Sequence, residues 1–165
     1  MFEIKKVASL GVVHPALFPQ VLSGEGPILE TARMIVEDPF FDCIEISWVK
    51  DEKEREKLAH LLKMGQMKVV FTQGAVVYAK GLNLHSLDPE KRKNSVEETK
   101  RLIDEAKFLN ARIFQIIGGP DPGTSKREEA KKFFEESLCE LCEYCLLYTS
   151  DAADELDGVD LGGRR

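Results

Sequence analysis

At 165 residues, 43% hydrophobic and 32% charged, the chain has the make-up of one ordinary globular domain and not of a disordered segment. Its net charge of −6 disfavours nucleic acid as a partner, because phosphate binding wants a basic face. No apolar run reaches the roughly 18 residues a membrane-spanning helix needs, so no membrane partner is expected.

The opening MFEIKKVASLGVVHP faintly imitates a signal peptide, but its apolar run is short, holds Gly11 and lacks a small-residue cleavage site. It reads instead as a first strand over Lys6–Val13, stopped by His14-Pro15. Gly26-Pro27 opens a helix in which Ile28, Leu29, Ala32, Ile35 and Val36 recur at helical spacing, ending near Asp38-Pro39. Phe41–Val49 is the second strand, almost continuously apolar, as expected of a parallel strand buried on both faces. Asp51–Met64 is a charged helix with Leu58, Leu61 and Leu62 inward, and Gly65 stops it. Lys68–Thr72 is the third strand, and Gln73–Leu87 reads as a long loop of the kind that often serves function. Ser95–Glu98 fits a capping box, which starts the next helix there, with Asn110 as its stop. Arg112–Ile117 is the fourth strand, closed by Gly118-Gly119-Pro120. A second capping box, Ser125–Glu128, opens a last helix whose stripe is Ala130, Phe133, Phe134, Leu138, Leu141 and Cys142.

Strict alternation of strand and helix implies a parallel sheet with right-handed crossovers. The sheet is either open and doubly wound or part of a (β/α)8 barrel, which takes about 250 residues when whole.

The C-terminal stretch narrows that choice. Cys139, Cys142 and Cys145 have the spacing of an iron–sulfur run, but the fourth Cys and following Pro that such a run needs are missing. Cys139 and Cys142 are expected as small fillers on a helix face. Residues 145–154 and 159–165 resemble the translation of a transposon-based sequencing-library adaptor, with ELDG standing where such an adaptor carries a variable index. On that resemblance the native sequence is expected to end near Tyr144, and residues 145–165 to be a foreign tail that does not pack into the core. Without the tail, 21 basic residues face 24 acidic ones, a net charge of −3. The expected fold is α/β: a truncated (β/α)8 TIM barrel in which about four βα units, residues 1–144, form a parallel half-barrel. A second half of comparable length is expected to be missing. The cysteine pattern is not that of a secreted disulfide framework, and the expected compartment is the reducing cytoplasm.

FDCIEIS at Phe41–Ser47 and NSVEETKRLIDEAKFLNARIFQIIGG at Asn94–Gly119 resemble the xylose isomerase-like TIM barrels, the sugar phosphate isomerase/epimerase family. The resemblance implies proton transfer between adjacent carbons of a sugar or sugar phosphate, carried out by a carboxylate pair with a divalent metal (Mn, Co, Mg or Zn). Its ligands, two Glu, an Asp and a His in the common pattern, come from later strands. This chain is therefore assigned no metal ligand and no catalytic acid or base, and is expected to be inactive and metal-free by itself. Two other readings stand beside it. One is a non-catalytic half-barrel that pairs with a second copy. The other is a protein like the abasic-site endonucleases, which place a His at the ends of the third and fourth strands. This chain has Gln73 and Gly118-Gly119 there.

Barrel chemistry sits at the C-terminal strand ends. His14 can meet a substrate hydroxyl there, or be a structural loop histidine. Glu45, within an apolar strand, is either a polar group at the site or half of an internal ion pair. Trp48 can wall a sugar or pack a loop. Gln73 is a candidate polar contact. Asn83 and His85 can contact substrate or fold their loop, Gly118-Gly119 allows close approach or makes a tight turn, and His60 reads as solvent-facing or structural. The open first and fourth strands are expected to invite self-association.

Overall fold

The computed structural model of the chain describes residues 7–156, with side chains through residue 146. The start of the expected first strand at Lys6 and the final residues of the adaptor-like stretch, 157–165, lie outside the described residues. Four parallel strands form one sheet in the order β1-β2-β3-β4: Gly11–Val13, Cys43–Ile46, Lys68–Thr72 and Ala111–Gln115. Each strand pairs with its predecessor, in the registers Gly11↔Cys43, Cys43↔Lys68 and Val69↔Ala111. Between Val69 and Val70 the β3–β4 register skips, so that Val70 faces Ile113 and Arg112 is the extra residue of a bulge.

Six α-helices accompany the strands: α1 (His14–Leu17), α2 (Ile28–Val36), α3 (Glu52–Met64), α4 (Gly74–Lys80), α5 (Pro89–Phe108) and α6 (Arg127–Leu156). Residue alternation on the strands gives the sheet two unlike faces. Ile44, Ile46, Val69 and Phe71 point to the helix layer and are fully buried with Ile35, Leu58, Leu62, Leu102 and Ala106. The Phe71 and Phe114 rings stack with centroids 5.5 Å apart. The other face carries Val13, Glu45, Val70 and Ile113 in one register row, and Ile113 is 60% exposed. A second cluster of Leu84, Val96, Ile103 and Leu141 joins α5 to α6.

The structure corrects several element readings. The β1 and β2 strands are shorter than expected, because pairing lasts only while neighbouring strands stay in register. The expected Gln73–Leu87 loop contains α4, which buries Val76 and Val77 and stops at Gly81 with a left-handed φ of 63°. The α5 helix begins not at Ser95 but at Pro89. Asp88 accepts from the amides of Glu90 and Lys91, and Pro89 pre-sets the first helical φ. Ser95 instead spends its hydroxyl in mid-helix, accepting from Asn83 N (2.9 Å) and donating to Lys91 O (2.8 Å). Asn110 is in the left-handed conformation expected of a stop, with φ 57°. Ser125 lies in a 3-10 turn, Thr124–Lys126, that precedes α6.

The inward stripe of α6 is Ala130, Phe133, Phe134, Ser137, Leu141, Tyr144 and Cys145, a period that turns Cys139 and Cys142 outward. Those two thiols are exposed rather than core fillers. Cys145 is half-buried against the second cluster, although the sequence reading kept every residue beyond Tyr144 out of the core. Among the described residues no helix is long and apolar enough to cross a membrane.

Candidate active-site mouth

Polar residues at the C-terminal ends of β2, β3 and β4 bind one another across that edge of the sheet. Ser47 Oγ donates to Thr72 O (3.0 Å). The Thr72 hydroxyl donates to Gln115 Oε1 and accepts from Gly74 N. Gln73 has no exposed surface: its Nε2 donates to Ile117 O (3.1 Å), and its Oε1 accepts from Thr99 Oγ1 (3.2 Å) on α5. Gln73 thus ties the ends of β3 and β4 to the helix behind them. Sequence reading singled out only Gln73 from this ladder. The signal for Ser47 and Thr72 was available, since each is a hydrogen-bonding residue at the end of an apolar run, whereas Gln115 stands inside one.

His14 is 1% exposed, and its Nε2 lies 2.8 Å from Thr31 Oγ1 on α2. The Thr31 hydroxyl hydrogen has backbone carbonyls to meet, Pro27 O at 2.7 Å and Ile28 O at 3.2 Å. The imidazole is therefore the donor to Thr31, which assigns its proton to Nε2 and leaves Nδ1 as the lone-pair nitrogen. Burial pushes its pKa down to about 4, so the ring is neutral at physiological pH.

Glu45 sits on the inner face, half-buried, between its register partners Val13 and Val70. Among the described residues it makes no hydrogen bond and no ion pair. His14 follows Val13 directly in sequence but turns toward the helix layer, so the structure separates it from Glu45 by the thickness of the sheet. Cys43, on the same inner face two residues before Glu45, has its thiol pushed up by burial and stays protonated at neutral pH.

Trp48 is packed into the loops. Its Nε1 donates to Leu22 O (3.1 Å), Gly24 (φ 76°) lies against the ring so closely that a Cβ would sit 3.0 Å from it, and Lys50 and Lys80 Nζ stand 4.9 and 5.2 Å from the ring centre. Just beyond it, Val49 N donates to Glu105 Oε1 (2.6 Å) and Arg55 donates to Val49 O (3.1 Å). Burial pushes the Glu105 carboxyl up, and the Val49 amide opposes that shift.

Asn83 and His85 dock their loop onto the fourth strand's exit. Leu84 N donates to Gly118 O (2.7 Å), His85 Nε2 donates to Pro120 O (2.8 Å), and Asn83 Oδ1 accepts from His85 N (3.1 Å). A Cβ on Gly119 (φ 131°) would stand 2.9 Å from Asn83 Oδ1, so the glycine pair makes this close approach possible. His60 lies on α3, away from the mouth.

The model of the family described as xylose isomerase-like TIM barrel matches residues 39–148, more than half of the chain. The chain belongs to this family. A crystal structure of a D-tagatose 3-epimerase-like protein shares the fold, with a TM-score of 0.63 at 20% identity over 86% of this chain and 50% of that one. The chain therefore spans about half the length of that structure. No curated protein matches it significantly in sequence. The half-barrel expected from the strand–helix order is the fold found: four βα units, all parallel, in consecutive order. Members of this family are expected to hold a divalent metal. Among the described residues no three His, Cys, Asp or Glu side chains come together in a group able to hold one. The described residues do not fit a metal.

Proposed function

We propose that the chain is the first half of a cytoplasmic sugar isomerase or epimerase that moves a proton between adjacent carbons of a ketose or ketose phosphate. The observation that carries this reading is Glu45: a half-buried carboxylate on the inner sheet face with no partner of its own among the described residues. A carboxylate so placed accepts hydroxyl hydrogen bonds from a polyol at little cost, because it gives up no protein contact to do so. In this reading Trp48 and Gln73 shape the mouth, Trp48 by filling the Gly24 turn and Gln73 by fixing the ends of β3 and β4. The family membership and the epimerase-like relative support the substrate class. The divalent metal (Mn, Co, Mg or Zn) and the catalytic acid–base pair belong to the other half of the parent protein. By itself the chain is inactive, and neither nucleic acid nor a membrane is its partner.

The test is an epimerisation assay on a ketose panel that includes D-tagatose, with Mn²⁺, Co²⁺ or Mg²⁺ added. No turnover is expected from this chain. In the uninterrupted parent, Glu45→Gln should raise KM more than it lowers kcat. Turnover by the chain alone, or a parent indifferent to Glu45, overturns the reading.

The outer edges of β1 and β4, unpaired among the described residues, favour a second reading, a module that closes its sheet by pairing with another copy. Light scattering across a concentration series tests it, and a monomer at every concentration removes it.

A further inference from the structure

The end of the sheet opposite the mouth carries a recess that the proposed chemistry does not use. It has a volume of about 690 Å³ and opens between the C-terminal ends of α3 and α5, beside the first residues of β3 and β4. That size is ordinary for a small-molecule site. Three permanent cations line it, Lys63, Lys68 and Arg112, with Leu62, Met67 and Phe108 as apolar wall. Among the described residues no Asp or Glu lines it.

In a chain with 29 acidic residues, cations normally find carboxylates, as Lys50, Lys80 and Lys100 do. Among the described residues Lys63, Lys68 and Arg112 form no ion pair, and Lys68 Nζ donates only to Ser9 Oγ (2.5 Å). Nor are they needed to cap the helices. Leu61 O and Lys63 O accept from Gly65 N, Leu62 O accepts from Met67 N, and Glu105 O and Lys107 O accept from Leu109 N. Two helix C-termini bring about half a negative charge each, so three cations leave an excess of about two positive charges. The bulge at Arg112 breaks strand alternation where that side chain joins the recess, which is how bulges re-aim side chains.

We propose that this recess binds an organic phosphate monoester, with the phosphate among Lys63, Lys68 and Arg112 and an apolar or aromatic body against Phe108 and Met67. Such a group carries about −1.5 to −2 charges at pH 7, which matches the excess of positive charge. Phe108 is 52% exposed, with the Arg55 guanidinium 5.9 Å from its ring centre. The recess lies at the strands' N-terminal end, so its ligand is an effector or stabiliser and does not compete with a substrate at the mouth.

Calorimetric titration of the intact chain with phenyl phosphate tests this, with phenol and inorganic phosphate as controls. Saturable binding by phenyl phosphate is expected. Inorganic phosphate should bind at least tenfold more weakly, and phenol not measurably. Arg112→Gln and Lys63→Gln should each weaken phenyl phosphate at least tenfold, while Lys50→Gln, at the other end of the sheet, leaves it unchanged. These are exposed positions, and a thermal melt of each variant confirms the fold before titration. Absence of saturable binding at millimolar ligand, or equal binding by the Arg112 and Lys63 variants, overturns the proposal. The outcome is independent of the epimerase reading, since neither residue belongs to the mouth.

Discussion

The two faces of the sheet are built to different degrees. Toward the helices, Ile44, Ile46, Val69 and Phe71 are shut away from water. On the inner face, Val13 and Ile113 remain 37% and 60% exposed, and Glu45 stands among them without a partner. The helix face is a finished core that supports itself. The inner face has the composition of a barrel interior, apolar with one carboxylate, and among the described residues it stays partly open to water. Stability and function are thus divided between the faces: one holds the fold, and the other awaits a ligand or a second sheet.

Substitutions on the two faces measure that division. Phe71→Ala should cost about 3–5 kcal/mol in urea unfolding, from lost burial and the cavity left beside Phe114. Ile113→Ala, of similar chemistry on the open face, should cost under about 1 kcal/mol. Equal costs would mean that the inner face is covered in solution.

An acid titration comes next in size. Burial holds the folded pKa of His14 down at about 4 against an ordinary 6.5, so below pH 6.5 the unfolded chain takes up a proton that the folded chain refuses. Stability should therefore fall by about 2 kcal/mol between pH 6.5 and 5, and level off below the folded pKa. His14→Gln should remove most of that slope in paired urea melts. Glu105 works in the opposite sense. Its raised folded pKa favours the folded state in acid, an advantage lost as pH rises through that value, and Glu105→Gln separates the two.

Gln73→Leu should cost about 1–3 kcal/mol, since it strands the Ile117 carbonyl, while the Thr99 hydroxyl keeps its bond to Ser95 O (2.8 Å). Asp88→Ala should cost about 1 kcal/mol through the lost cap of α5, read by thermal melts. A cost below a few tenths would return the helix start to Ser95.

The parts legible in the sequence were those with a repeating signal. The third strand was read to the residue, and α2 and α3 to within one or two residues of each boundary, because apolar periodicity runs the length of those elements. The α4 helix was missed because Gly74-Ala-Val-Val is a poor helix former, held in place by burial of Val76 and Val77 and by the Gly81 stop. At Ser95 a local pattern competed with a stronger start at Asp88-Pro89, and the hydroxyl's real partner, Asn83 N, is a tertiary contact invisible in a linear reading. Glu45 stood out as a charge in an apolar strand. That it lacks a partner, and that His14 faces the other way, depends on the pleat and on where α2 packs.

Consecutive strand order has a consequence for how the chain is made. Each strand's sheet partner is already synthesised when it emerges, so β2 can pair with β1, then β3 with β2, without waiting for a distant segment. A nascent chain of this kind can assemble in the direction of translation, with the growing sheet edge as template for every new strand.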